Sequence, residues 1–355
     1  MEDKARSVVR AAVTRNRVGC IFAALLLLAS VQAPADAQDT AQDSAQAAEL
    51  TPIVVALPEG PSGRTIGYYL AEAGGWFARA GLDPEFVVVD EPAALLADGN
   101  ADLAIDIMPN ALRTRAEGPD IRHVAQIFQK SGLVLACRPS IKEPKDLRGM
   151  NISLWSGGQE GPFYAWMAKI GLGIYGEADG VTILREGLDP DSYRSRSSDC
   201  FTGETYALPQ QLALQGKTTF DYRIFSYEQV GTATLEDGVY ARGEDLKYPD
   251  RIQRIARFLT AARAGWQSAA DEARKAAEFL AEKTPPPAPD LATLLRGIWA
   301  ANDLVEVGRI PFGRLDPAAY DRTVTVLLTA APDPLLKTAP LSAVSDAVSK
   351  ALEAE

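Results

Sequence analysis

Residues 52–81 read PIVVALPEGPSGRTIGYYLAEAGGWFARAG, and the succession of patterns in this stretch decides the fold class. Ile53-Val54-Val55-Ala56-Leu57 is a short continuous apolar run, suited to a strand buried on both faces. Pro58 to Thr65 is dense in turn formers. Residues 67–80 then carry apolar side chains at helical spacing, and Gly81 is placed to cap that helix. A further strand is expected at 85–89. A strand, a turn and a helix leading back to a strand is the unit of a parallel sheet with right-handed crossovers.

Working outward, the unit recurs. A short helix at 93–96 precedes a strand at 103–105 and a loop from Asp106 to Pro109. Strands follow at 124–128 and 133–137. Past Pro139 come a short helix within 142–149, a strand at 151–154, a glycine-rich turn at 155–162, a helix at 163–170 and a strand at 181–184. Residues 199–201 end another strand, 206–214 suit a helix, and 220–225 and 238–241 suit strands. From Pro249 the pattern turns helical, with segments at 249–267, 269–283, 290–301, 316–328 and 341–352. The class is α/β, and two such units with a helical tail fit a two-lobe clamshell. Residues 52–138 and 240–335 are expected to form a discontinuous first lobe, 139–239 the second, and 336–355 a C-terminal helix.

The chain of 355 residues is long enough for two cores. Its net charge of −11 speaks against nucleic acid and anionic membranes as partners. The first 37 residues read as a secretory signal. Lys4, Arg6, Arg10, Arg15 and Arg17 form a basic start, 19–31 is apolar, and Ala35-Asp36-Ala37 is a small-x-small cleavage site. That apolar run falls short of the ~20 residues that span a bilayer, so cleavage and a periplasmic location are expected. Residues 38–51 are polar, small and repetitive, as in a flexible leader. Export would leave Cys137 and Cys200. They could pair in an oxidising compartment, but their apolar and turn contexts read as two separate small buried thiols. Their spacing and the single His123, placed at the end of a turn, fit no metal site, and no cofactor is expected.

Ligands of open α/β sheets sit beyond the carboxyl ends of strands. Four loops therefore qualify. In the first, Pro61, Ser62, Arg64 and Thr65 precede a helix, where backbone N–H groups favour an anion or where Thr65 simply caps. In the second, Asp106 and Met108 follow an apolar strand, and Asp106 either accepts from a ligand amine or closes a turn. In the third, Trp155 offers a flat face and Ser156, Gly157 and Gly158 allow close backbone approach; the alternative for Trp155 is the core. In the fourth, Glu204, Thr205 and Tyr206 combine a carboxylate, a hydroxyl and a ring. None of the loops supplies a catalytic constellation, so binding is expected rather than catalysis.

Three stretches resemble the periplasmic binding proteins related to thiamine-pyrimidine synthase, whose wider relatives bind sulfonates, taurine or nitrate. Gly67-Tyr68-Tyr69-Leu70-Ala71 through Gly75-Trp76-Phe77 and Gly81-Leu82 resembles the family's first helix. Trp155-Ser156-Gly157-Gly158 with Pro162-Phe163 and Ala165-Trp166-Met167 resembles a loop and helix of a subset. Asp199-Cys200 with Thr205-Tyr206 resembles a third segment. The resemblance implies a type II two-lobe fold, ligand contacts from Trp155–Gly158 and Thr205-Tyr206, and a permease and an ATPase as partners of a monomer. Thiamine-precursor relatives carry Asp-Trp-x-Pro-Asn-x-x-His after the first strand; here Glu59 holds the tryptophan position and Thr65 the histidine position. The expected ligand is a small heteroaromatic compound of the pyrimidine-precursor kind. The alternatives are a sulfonate-, taurine- or nitrate-type anion, a pyrimidine-synthase-like enzyme, and a sensory binding domain.

Overall fold

The computed structural model describes residues 49–155, 159–174, 180–186, 198–332 and 334–353. The expected signal segment, most of the leader, and Ser156, Gly157 and Gly158 lie outside the described residues. The strands are β1 (Thr51–Leu57), β2 (Leu82–Val88), β3 (Leu103–Ile107), β4 (Ile121–Gln126), β5 (Leu133–Cys137), β6 (Asn151–Trp155), β7 (Thr182–Glu186), β8 (Cys200–Glu204), β9 (Arg223–Ser226) and β10 (Asp237–Arg242). The helices are α1 (Ile66–Ala73), α2 (Trp76–Arg79), α3 (Pro92–Ala97), α4 (Met108–Ala116), α5 (Gly161–Ile170), α6 (Leu208–Ala213), α7 (Tyr227–Val230), α8 (Pro249–Asp271), α9 (Ala273–Lys283), α10 (Leu291–Val305), α11 (Pro317–Thr329) and α12 (Ala347–Glu353).

The strands make two sheets, ordered β2-β1-β3-β10-β4 and β7-β6-β8-β5-β9. In the first, β1 pairs in parallel with β2 and β3, while β10 runs antiparallel to both β3 and β4. The second repeats the design: β6 is parallel to β7 and β8, and β5 runs antiparallel to β8 and β9. Each sheet thus owns one reversed strand, and that strand is the one entered on crossing from the other sheet. The crossings are residues 127–132 and 227–236. The first lies upstream of the boundary expected at 138, because a buried apolar run such as Leu133–Cys137 carries no mark of the sheet it will join.

Most elements follow their spacing, with a few departures. The helix expected at 67–80 divides into α1 and α2 at Gly74-Gly75, where Gly75 takes φ +67°, a backbone open to glycine at little cost. The loop expected at 106–109 already begins α4, whose Pro109 is tolerated in the first turn. His123 lies inside β4 rather than ending a turn. Helix at the C-terminus starts only at Ala347.

The larger core lies behind the first sheet. Ile53, Val55 and Leu57 of β1, Ile105 of β3 and Val239 of β10 pack with Tyr68, Phe258, Trp266 and Ile298 from α1, α8 and α10. α1 and α8 approach closely because Gly67 and Gly265 face each other; a β-carbon on Gly67 would fall 2.3 Å from the Trp266 ring. Each such fully buried side chain contributes about 1.5–3 kcal/mol over exposure. The second core gathers Leu133, Leu135, Ile152, Leu154, Phe163, Trp166 and Met167 around the second sheet. Cys137 and Cys200 stand opposite each other in the β5–β8 register and form a disulfide, their Cα atoms 4.0 Å apart. This corrects the expectation of separate thiols; antiparallel pairing supplied the proximity that a 63-residue separation concealed. Among the described residues no helix is long and apolar enough to cross a membrane.

Candidate functional site

The chain returns repeatedly to the edge of the first sheet where β1 and β3 end and β10 begins. Within the loop after β1, Thr65 Oγ1 donates to the Gly60 carbonyl at 2.6 Å and accepts from Ser62 N–H at 3.1 Å. The Ser62 hydroxyl donates to the Glu59 carboxylate and accepts from Arg64 N–H at 3.1 Å. Ser62 and Thr65 are thus occupied within their own loop, and Pro61 is half-buried beside them.

That folded loop aims Arg64 at Asp237, the first residue of β10. The guanidinium donates twice, Nε to Oδ2 at 2.8 Å and Nη2 to Oδ1 at 2.5 Å. The Arg64 side chain is 12% exposed and that of Asp237 1%. A forked pair of this geometry matches guanidinium to carboxylate, and it fills the positions that an anionic ligand would need. Burial pushes the Glu59 carboxyl above its ordinary range, and Arg64 only partly offsets that.

Asp106 ends the apolar run of β3 as expected, but its carboxylate is spent on the fold. It accepts from Ala93 N–H at 3.1 Å at the start of α3, from Ile107 N–H at 2.8 Å and from Asn110 Nδ2 at 3.1 Å. Burial pushes this carboxyl up to about 6, against the lowering by Ala93 N–H and Arg64. Met108 is fully buried and packs with Leu112, Leu235 and Leu327. Trp155, at the end of β6, is 5% exposed and belongs to the second core. Of the two places the sequence allows for this ring, the structure packs it among the apolar side chains of the second core.

The fourth loop meets the first site directly. Glu204 closes β8, pairs across with Leu133 and is 8% exposed. Burial raises its carboxyl to about 8, with Arg64 and a Tyr206 hydrogen bond pulling the other way and Glu236 and Glu59 adding to the rise. Tyr206 lays its ring edge-on against Phe128, centroids 5.5 Å apart, and its hydroxyl donates to Glu236 Oε2 at 3.4 Å. Thr205 N–H donates to the Gly132 carbonyl at 2.9 Å. Thr205 Oγ1 is buried without a hydrogen-bond partner.

Two adjacent carboxylates, Glu236 at the end of the second crossing and Asp237 at the start of β10, complete the cluster and are not among the residues the sequence singles out. Glu236 accepts from the Ser131 hydroxyl at 2.7 Å and from Leu133 N–H at 2.8 Å, and burial raises it to about 7. Asp237 holds Arg64. The adjacent Glu236-Asp237 pair ahead of the apolar run at 239–241 was the available signal. Gln126 ties both crossings together, its amide donating to the carbonyls of Phe128, Glu236 and Asp237 at 2.9–3.1 Å.

The result is an inter-sheet cluster in which Glu59, Asp106, Glu204, Glu236 and Asp237 share the field of one guanidinium, Arg64. A cavity of about 510 Å³ opens at the other end of the first sheet, near Thr51. Its arginines are engaged: Arg254 with Asp102, Arg242 and Arg251 with Asp245, and Arg257 with the Ala80 carbonyl. The chemistry therefore concentrates in the carboxylate cluster around Arg64.

The family model described as "NMT1/THI5 like" matches residues 63–276, which is more than half of the chain and agrees with the resemblance drawn from its residues. None of the curated proteins matches in sequence. Among solved structures, a protein of Bordetella bronchiseptica RB50 is similar at 18% identity and a TM-score of 0.62, covering 86% of this chain and 98% of its own. The alkanesulfonate-binding protein SsuA of Xanthomonas axonopodis pv. citri, solved with MOPS bound, is similar at 16% identity and a TM-score of 0.59, with 84% and 99% covered. A Candida albicans gene product described as having the generic periplasmic binding protein fold is similar at 18% identity and a TM-score of 0.55, with 84% and 97% covered. At these identities the likeness establishes the fold: two parallel-rich sheets of the periplasmic binding protein type.

Proposed function

Because the chain belongs to the NMT1/THI5-like family, we propose that it is the solute-binding component of an ABC importer, working in the periplasm with a permease and an ATPase. We infer that it captures a small nitrogenous compound, an aminopyrimidine-like base or a related amine, between its two sheets. Catalysis is not part of this reading.

One observation carries the ligand class. Arg64 is neutralised by Asp237, while Glu204 and Glu236 have no basic partner at ion-pair distance among the described residues. Buried carboxylates in that condition hold protons or await a cation. A ligand that brings N–H donors or a positive charge to Glu204 and Glu236 removes that burden; an anion adds to it. Among the described residues no three His, Cys, Asp or Glu side chains are arranged to hold a metal ion, which favours an extended organic donor. The anion reading keeps one support, that SsuA from Xanthomonas binds MOPS on the same fold, but it requires Arg64 to leave Asp237.

Titration calorimetry at pH 7 against a panel of aminopyrimidines and alkylamines, with MOPS and taurine alongside, decides between them. The expected result is saturable binding of a nitrogenous compound, weakened at least tenfold by Glu204→Gln. Binding of MOPS or taurine with no response to any amine would replace this reading with the anionic one.

A further inference from the structure

Three glycines surround one turn of the second lobe. Gly63 lies in the loop after β1, Gly132 ends the first crossing, and Gly297 sits in the middle of α10. None of them needs the left-handed backbone; what each lacks is room for a side chain. A β-carbon on Gly297 would stand 2.7 Å from the Tyr206 carbonyl oxygen and 2.9 Å from Gln210 Nε2. On Gly132 it would stand 2.8 Å from a Leu304 methyl group and 2.9 Å from Thr205 Oγ1, and on Gly63 3.2 Å from the Gly297 carbonyl oxygen.

The two sides of this contact belong to different sheets. Leu294, Ile298 and Ala301 of α10 pack in the core of the first sheet. Thr205, Tyr206 and Gln210 follow β8 of the second, and the Tyr206 ring reaches across into the core of the first. Glycine inside a helix is otherwise unfavourable, since alanine forms helix better and costs the chain less entropy. At Gly297 the obstacle to alanine is a main-chain carbonyl, which cannot rotate aside as a side chain can. The same turn carries the Tyr206 hydroxyl to Glu236 and the Thr205 N–H to the Gly132 carbonyl.

We propose that Gly63, Gly132 and Gly297 form a socket that sets how far the two lobes close, with the Thr205-Tyr206 turn as the piece that seats in it. The proposal rests on the reading that ligand is captured between the sheets, but its first readout needs no ligand. Seating the turn brings Tyr206 against the carboxylates; lifting it out breaks the Thr205–Gly132 hydrogen bond and parts the lobes on that side.

The test uses the full mature protein carrying Gly297→Ala, without ligand. Small-angle scattering is expected to show a larger radius of gyration than the wild type, and hydrogen exchange at 205–207 to quicken at least tenfold, with far-ultraviolet circular dichroism unchanged. Adding Gln210→Ala is expected to leave both effects in place, because the obstruction is the Tyr206 main chain. Unchanged compactness and exchange in Gly297→Ala, or full rescue by Gln210→Ala, would overturn the socket. If Gly297→Ala does not fold, Gly132→Ala, obstructed only by side chains, is expected to give the same change at smaller amplitude; wild-type behaviour there would overturn it equally. Should the wild type bind no amine while Gly297→Ala still opens, the ligand reading fails and the socket stands. Should amines bind wild type and variant alike, with compactness unchanged, the socket alone fails.

Discussion

Replacing Glu204 by glutamine should change how stability depends on pH, in a direction opposite to ordinary acid unfolding. The Glu204 carboxyl is held at about 8 in the folded protein by burial, against an ordinary 4.5. The folded state therefore holds this proton more tightly than the unfolded chain does. Its contribution to stability is complete below about 4.5 and is lost as pH rises through about 8. At about 1.4 kcal/mol for each pH unit, the gap sets a ceiling of about 5 kcal/mol. Glutamine keeps the shape and a donor toward the cluster but never ionises. Wild-type thermal unfolding should fall between pH 5 and 8.5, and Glu204→Gln should flatten that fall. For a chain of this size about 1 kcal/mol moves the midpoint by roughly 1–2 °C, so the variant should unfold a few degrees above the wild type at pH 8.5. Circular dichroism melts at constant ionic strength measure this. Parallel wild-type and variant profiles across that window would refute the reasoning, because the carboxyl would then be titrating as if exposed.

Capture of a protonated amine should release protons near pH 7.5, because the incoming charge ionises Glu204 or Glu236; calorimetry in buffers of different ionisation enthalpy reads it, and no buffer dependence would count against a cationic ligand. Asp237→Asn leaves the Arg64 guanidinium buried without its carboxylate and should cost about 3–5 kcal/mol in urea unfolding, while giving the cleft measurable affinity for MOPS. Replacing both cysteines by serine opens the 63-residue link and should cost about 4 kcal/mol on the chain-entropy account, read as a lower denaturant midpoint; a loss below 1 kcal/mol would show that the strands hold this register unaided. Asp106→Ala removes the acceptor for Ala93 N–H and should lower stability by about 1–2 kcal/mol with little effect on amine affinity.

The strand–turn–helix succession was legible because β1, β3 and β6 are buried runs bounded by turn formers, and because α8 and α10 keep one apolar face. The site was half legible. The rule that ligands lie beyond the carboxyl ends of strands picks out Arg64, Glu204 and Tyr206, which the structure brings into one carboxylate cluster. It could not find Glu236 and Asp237, since β10 runs antiparallel and presents its amino end at the cleft. Strand direction is set by pairing partners far away in the chain, and nothing in the residues 237–242 records it. Asp106, Met108 and Trp155 stand at strand ends, yet Asp106 is hydrogen-bonded to α3, Met108 packs with Leu112 and Leu235, and Trp155 packs in the second core. Residue type at a strand end places a side chain near the cleft; only the neighbours decide whether it is left over for a ligand.

The reversed strand of the first sheet also fixes an order of assembly. β4 has its ladder partner in β10, so a chain emerging from its amino end carries β4 with an open edge until Arg242 has arrived. The second sheet suffers no such delay: all its strands lie between Leu133 and Ser226, and the disulfide lies within them. The inserted lobe can thus be complete while the lobe that encloses it in sequence is still unfinished. Glu236 and Asp237 arrive with the late strand, so the carboxylate cluster waits until every strand of the second sheet has emerged. A chain halted before that point would display an unpaired strand edge and lack its binding site, and competence to hold ligand would mark a molecule whose two sheets are both closed.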